Sequence, residues 1–449
     1  MIVVTGLAVV TAWIAISYPL RPALALFASL LGGIAILTDP FLGVLGYYLM
    51  AFMRPQETFW GFRDTRLTLL ISIATLAAAS LQFAGRPDFR FLNLRQNLPI
   101  LLLWAFLYLS TVYGDFGGPE PKWIDYWSKL FIMYFVLLGV TTSEKKLYAL
   151  SWVLVISLGY MGWWGNERYF LDGWNIVHGP GMPGAAFYDE NAYAMVIVMG
   201  VPFVWYTMRA TKSTIVRLGL LAVLPIMAHC VILTFSRGGF LGLAASMLII
   251  ALRERNRKLG GAIITLGLIF FSLAAGDEYM NRIGSIENYE EERSAAGRLE
   301  AWEAGYNMIT HNPIFGVGLK RFVTAFPYYS NLQPREGHNS WVQLGAECGF
   351  IALGSYTMLV FFTVRGIIRI RRRIHLLPPE SFRYADPLSN AYMVSLVGYL
   401  VCGFFLSMED FEFFYLLVGM TQVLDRITEV RARTAAAERQ SARIEAVPA

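Results

Sequence analysis

Apolar runs long enough to cross a bilayer recur from one end of this chain to the other, and that repetition limits the fold more than any motif does. They fall near residues 2–17, 22–38, 41–53, 67–84, 98–113, 123–141, 146–163, 192–208, 215–235, 238–252, 259–275, 339–364, 391–407 and 411–424. Inside hydrocarbon each backbone amide needs a partner within its own segment, so runs of roughly 20 apolar residues read as helices. The pattern predicts an all-α, polytopic integral membrane protein with about 12–14 transmembrane helices. Runs shorter than about 18 residues predict tilted, broken or re-entrant segments. Composition agrees: 56% of the 449 residues are hydrophobic and 15% are charged, where a soluble domain keeps about a quarter charged.

The net charge of +5 does not point to nucleic acid, because the basic residues lie in short clusters between apolar runs. Counted alternately, the connections GRPDFRFLNLR, SEKK, RATKSTIVR, RERNRK and RGIIRIRRR fall on one side with Arg383 and the C-terminal tail. That side holds 23 of the 37 Lys and Arg residues, which marks it as cytoplasmic. The opening MIVVTGLAVVTAWIAISYPL lacks a basic n-region and a small-residue cleavage site, and reads as a retained first helix. Cys230, Cys348 and Cys402 lie in or beside apolar runs without metal-ligand spacing, and read as core residues.

The longest outward connection, residues 276–337, carries nine acidic and six basic side chains. GRLEAWEAGYNMI within it has helical spacing, which predicts a large helical periplasmic loop. The expected division is 1–275 for the N-terminal helices, 276–338 for that loop, 339–425 for the C-terminal helices and 426–449 for a tail.

The chain has no GxxxxGK[ST], no GxGxxG between strand and helix, and no DxD for a metal-bound sugar nucleotide. No metal and no cofactor are expected. An enzyme built this way needs a substrate that brings its own energy, and a lipid-linked sugar pyrophosphate does.

Arg237 in LTFSRGGFLG interrupts an apolar run, where it either meets a ligand or snorkels to the interface. Arg298 in GRLEAW offers a fork that matches phosphate oxygens; the alternative is an ion pair with Glu291, Glu292 or Glu300. HNPIFGVGLKRF delivers Lys320 and Arg321 to the outer face, to meet phosphate or anchor in headgroups. His338 sits where the long loop enters a membrane helix, and an imidazole there can accept a proton from a hydroxyl, although an interfacial histidine without chemistry fits as well. Asn339 follows it. Asp189 and Asn191 open a helix on the same face, as caps or as substrate contacts. The many aromatics at the outer ends, such as Trp60, Trp127, Trp163 and Trp164, suit an interfacial belt, with a minority free to stack on sugars.

SRGGFLG, GRLEAW, NPIFGVGLKRF and GHNSWVQLGAECGF, in that order across a large outer loop, resemble the O-antigen ligase and polymerase superfamily. The early YYLMAFMRPQETFWGF is similar to the exosortase-associated putative O-glycosylation ligases. The resemblance implies a multi-pass enzyme of the bacterial inner membrane, active at its periplasmic face. An O-antigen ligase of this kind moves a whole glycan from undecaprenyl pyrophosphate to a hydroxyl of lipid A-core, without a metal. A single displacement would invert the anomeric centre. The alternatives are a polymerase, a ligase that glycosylates proteins or, in another class, a transporter of an anionic lipid-linked glycan. By the resemblance Arg237, Arg298 and His338 are catalytic, with Asn339 beside His338. The expected partners are the glycan donor, a lipid A-core or protein acceptor and membrane lipids.

Overall fold

The computed structural model describes residues 31–58, 67–85, 92, 94–118, 121–181, 187–274, 290–378 and 382–445. Of the expected spans, 2–17 lies outside these residues, as does much of 22–38. The described elements are helices: α1 (Pro40–Met53), α2 (Leu67–Gly85), α3 (Leu94–Tyr113), α4 (Pro121–Val140), α5 (Glu144–Asp172), α6 (Glu190–Ala210), α7 (Thr214–Leu233), α8 (Arg237–Arg253), α9 (Arg257–Ala274), α10 (Glu290–His311), α11 (Ser340–Leu376), α12 (Ala385–Gly403) and α13 (Glu412–Glu445). Among the described residues seven of them are long and apolar enough to cross a membrane. The protein is an all-α, multi-pass membrane protein.

Helix α6 is the central post. Seventeen consecutive residues, Ala192 to Met208, are buried, because α5, α7, α8 and α12 pack around it. Helix α2 lies at the periphery, with Leu70, Ile73 and Leu81 exposed, as a lipid-facing helix would be. The three cysteines are buried and free, in line with a core role.

The basic connections gather at one end of the bundle. There Asp425 takes Arg373 at 2.6 Å and Arg369 on its other oxygen, Glu144 takes Arg431 at 2.6 Å, and Arg253 donates to Asn390 at 2.9 Å. These partners explain why α11 and α13 run past the apolar windows that ended at 364 and 424. Their charged extensions pair with each other across the two helices, so neither has to stop where hydrophobicity does. Helix α13 passes through Asp425 without a break.

Candidate functional site

The opposite end is built around a break in α11. Gly349 has φ 77° and ψ 179°, a conformation that is nearly glycine-only. The break leaves carbonyls and an amide without helical partners, and the turn 313–318 takes them. Val317 donates to the Ala346 carbonyl at 2.9 Å, Gly318 to the Glu347 carbonyl at 3.0 Å, and Phe350 to the Pro313 carbonyl at 2.8 Å. Ser110 adds its hydroxyl to the Glu347 carbonyl at 2.7 Å. A Cβ on Gly316 would lie 2.3 Å from the Glu347 carbonyl carbon, and one on Gly349 would lie 2.3 Å from the Ile314 oxygen. Only two glycines let these backbones meet.

The buried Glu347 carboxylate then organises the next turn, accepting from the Lys320 amide at 2.7 Å, the Phe322 amide at 3.3 Å and Gln343 Nε2 at 2.6 Å. Lys320 sends its ammonium to Glu409 at 3.2 Å and Asp410 at 3.1 Å, and over the Trp123 ring at 4.8 Å. Burial alone would lower the Lys320 pKa, but the Asp410 and Glu409 carboxylates outweigh it and hold the pKa well above the usual lysine value. Burial pushes the Glu409 carboxyl upward. Arg321 donates to the Gly118 carbonyl. The structure therefore directs Lys320 and Arg321 into the protein, where they latch the 313–322 segment to the α3–α4 and α12–α13 connections.

Around His338 the chain is pinned on both sides. The Gly337 amide donates to Gln343 Oε1 at 2.9 Å, and its carbonyl accepts from Trp302 Nε1 at 2.8 Å. Asn339 caps α11, its Oδ1 accepting from Trp341 at 2.9 Å and Val342 at 3.1 Å while Nδ2 donates to the Phe404 carbonyl at 3.1 Å. Both ends of the Asn339 amide are thereby occupied. Between these anchors His338 is held at φ 44°, a region that non-glycine residues enter rarely. Among the described residues its half-buried ring meets no hydrogen-bond partner. Burial lowers the imidazole pKa below its usual value; Glu336 opposes that, Arg298 and Arg335 add to it, and Asp189 opposes. The ring is neutral near pH 7, with a lone pair to offer.

Arg298 stands one turn before Trp302 on α10, its guanidinium 5.8 Å from the Phe405 ring centre. Burial and the nearby Arg237 both lower its pKa, yet a guanidinium stays charged at neutral pH. Among the described residues no carboxylate lies within ion-pair distance of Arg298, Glu300 included; the Glu291 and Glu292 side chains are outside the described set. Arg237 is the first residue of α8, which Ser236 caps through the Gly239 amide at 3.1 Å. Asp189 caps α6, accepting from Asn191 at 3.0 Å and Ala192 at 2.9 Å, and Asn191 donates to Glu190 at 3.2 Å. The amino ends of α8 and α11 thus meet the 404–406 turn, each adding a positive dipole end.

The structure brings Arg298 into electrostatic reach of Arg237 and of His338, and His338 into reach of Asp189, places Asn339 and Asn191 as helix-start residues, and turns Lys320 and Arg321 away. Sequence reasoning left Trp302, Gln343, Glu347, Gly349 and Arg335 without a role. Glu347 carried a signal, a carboxylate inside an apolar run. Arg335 packs against Gly297, where a Cβ would sit 2.0 Å from its Nη1. A cavity of about 820 Å³ lies at the other end of the bundle. Its arginines already hold the Leu138 and Thr141 carbonyls and the Glu144 and Glu429 carboxylates, so the outward cluster is the better candidate.

Residues 220–357, which contain Arg237, Arg298 and His338, match the family described as O-antigen ligase, Wzy_C. Over this segment the chain is similar to the O-antigen ligase superfamily, which supports its membership there. Residues 23–212 match a family of unknown function, DUF5935. No curated protein matches the chain. The match supports a ligase- or polymerase-type family; the matched segment begins in α7 and ends in α11, and so contains Arg237, Arg298 and His338 but not Asp189.

Proposed function

We propose that this protein transfers a whole glycan from undecaprenyl pyrophosphate to a hydroxyl of lipid A-core. The site faces the periplasm and the protein resides in the bacterial inner membrane; the excess of basic residues at the opposite end supports that orientation. One observation carries the reading: two arginines lie near each other at an end where three helices also begin, beside a neutral histidine with no hydrogen-bond partner among the described residues.

Arg237 and Arg298 would hold the pyrophosphate oxygens, the anion offsetting their mutual repulsion. They would also stabilise the charge that grows on the leaving group. The acceptor oxygen attacks the anomeric carbon while the bond from that carbon to the pyrophosphate oxygen breaks, and the anomeric centre inverts. His338 takes the hydroxyl proton on a ring nitrogen, and undecaprenyl pyrophosphate leaves with the bonding pair. The Gly337 and Asn339 anchors keep the ring in place for this step.

Purified His338→Ala should keep its melting temperature and bind donor, yet lose transfer by about 10²–10⁴-fold, the usual worth of a general base. Arg298→Ala should weaken donor binding itself. Near-normal transfer by His338→Ala would remove the base assignment. In a deletion strain, full-length chains accumulating on the lipid carrier support the ligase; single repeat units on it would show a polymerase instead.

A further inference from the structure

On the outer surface, at the far end of α10 from Arg298, a hollow of about 490 Å³ is lined by Asp115, Phe116, Asn307, His311, Tyr328 and Tyr329. Three segments build it: the turn after α3, the last turns of α10, and the short helical stretch Phe326–Tyr328. They are fixed to one another. The Phe116 amide donates to the Val317 carbonyl at 3.0 Å, Asn312 Nδ2 donates to the Tyr329 hydroxyl at 2.8 Å, and His311 Nδ1 contacts the Asn307 carbonyl oxygen at 2.7 Å. Phe116 meets Tyr328 edge to face at 4.9 Å, and His311 meets Tyr329 at 5.7 Å. The aromatic wall is thus held in place, yet Tyr328 remains 76% exposed. A ring face so exposed on a rigid support offers a surface against which a ligand can stack.

The lining decides what would cover it. Among the six residues there is no lysine or arginine, which disfavours an anion, and the polar groups of Asp115, Asn307 and His311 disfavour a purely apolar occupant. Ring faces beside hydrogen-bonding groups match a saccharide, whose C–H face lies on an aromatic while its hydroxyls seek donors and acceptors. Place matters too. Thirteen residues of helix separate Arg298 from His311, about 20 Å at 1.5 Å per residue. A sugar chain of several units, rooted at the transfer site, spans that length.

We propose that this hollow is a glycan subsite, in which Tyr328 and Phe116 form the stacking wall and Asp115, Asn307 and His311 take sugar hydroxyls. The proposal rests on the glycosyl-transfer reading above and adds to it a site that holds saccharide away from the reacting bond. The saccharide comes from the donor chain or from the sugars of the acceptor, and kinetics separate the two.

The test uses the full-length protein, with undecaprenyl pyrophosphate donors from the producing cells carrying either one repeat unit or the long chain, and acceptor with complete or truncated sugars. Tyr328→Ala should raise a KM about five- to tenfold, as the loss of one aromatic contact of about 1 kcal/mol or slightly more does, and leave kcat alone. Tyr328→Phe should behave as wild type. A rise confined to the long-chain donor places the donor glycan here; a rise confined to the complete acceptor places the acceptor sugars here. KM values that stay unchanged for every pair overturn the subsite. If wild type transfers nothing, the transfer reading fails, and binding still decides the subsite. Free long-chain glycan and free acceptor sugars, each released by mild acid, are titrated separately: several-fold weaker binding of either one to Tyr328→Ala upholds it, and equal binding of both rejects it.

Discussion

Replacing Gly349 by alanine should disturb the protein through the backbone torsions of one residue. At φ 77° and ψ 179° an L residue carries a strain of about 1–3 kcal/mol. Its Cβ would stand 2.3 Å from the Ile314 oxygen and 2.8 Å from the Pro313 oxygen, and both are backbone atoms that cannot rotate away. The segment must retreat, which puts three hydrogen bonds at risk, from Phe350, Val317 and Gly318. Each is worth about 0.5–1.5 kcal/mol net. The expected cost is about 3–6 kcal/mol, since the contacts are not strictly additive. Gly354→Ala is the control: it lies on the same helix, and nothing stands within 4 Å of its Cβ, so it should be neutral or gain up to about 1 kcal/mol. Thermal unfolding of the purified protein in detergent, followed by circular dichroism, should show a lower midpoint for Gly349→Ala alone, with transfer reduced at least tenfold. Equal midpoints for both variants and wild type would refute the role given to the break.

The acid limb of the transfer rate should reflect His338, with activity present while the ring is neutral and lost as pH falls through a pKa below the usual histidine value. Glu336 raises that pKa, so Glu336→Gln should move the acid limb of kcat/KM to lower pH; a shift the other way would contradict the assignment. Lys320→Met leaves Glu409 and Asp410 without their buried cation and should destabilise by about 3–5 kcal/mol. Lys320→Met combined with Glu409→Gln should recover part of that loss, and thermal midpoints of the four proteins close the cycle.

Much of this protein was written in its hydropathy. The apolar runs foretold helices because a bilayer leaves the backbone no other economy of hydrogen bonds. GRLEAWEAGYNMI foretold α10, because its spacing is local. Asp189 foretold a cap for the same reason. Arg237 stood out as a charge inside an apolar run, Arg298 as a guanidinium in the long loop and His338 at the junction where that loop enters a helix, and each is far from the others in sequence.

The tertiary structure decided what those groups meet. Lys320 and Arg321 read like ligands for phosphate, yet Glu409, Asp410 and the Gly118 carbonyl claim them, and that pairing crosses 89 and 203 residues of chain. Aromatics were equally mute: Trp127 and Trp164 are buried while Trp163 is 45% exposed, a distinction set by which neighbour each helix face touches. Gly349 looked like one more glycine in a membrane helix until Pro313 and Ile314 were seen against it. Local patterns follow from a residue and its near neighbours, whereas a site is made of contacts between distant segments, and the chain settles those only by packing.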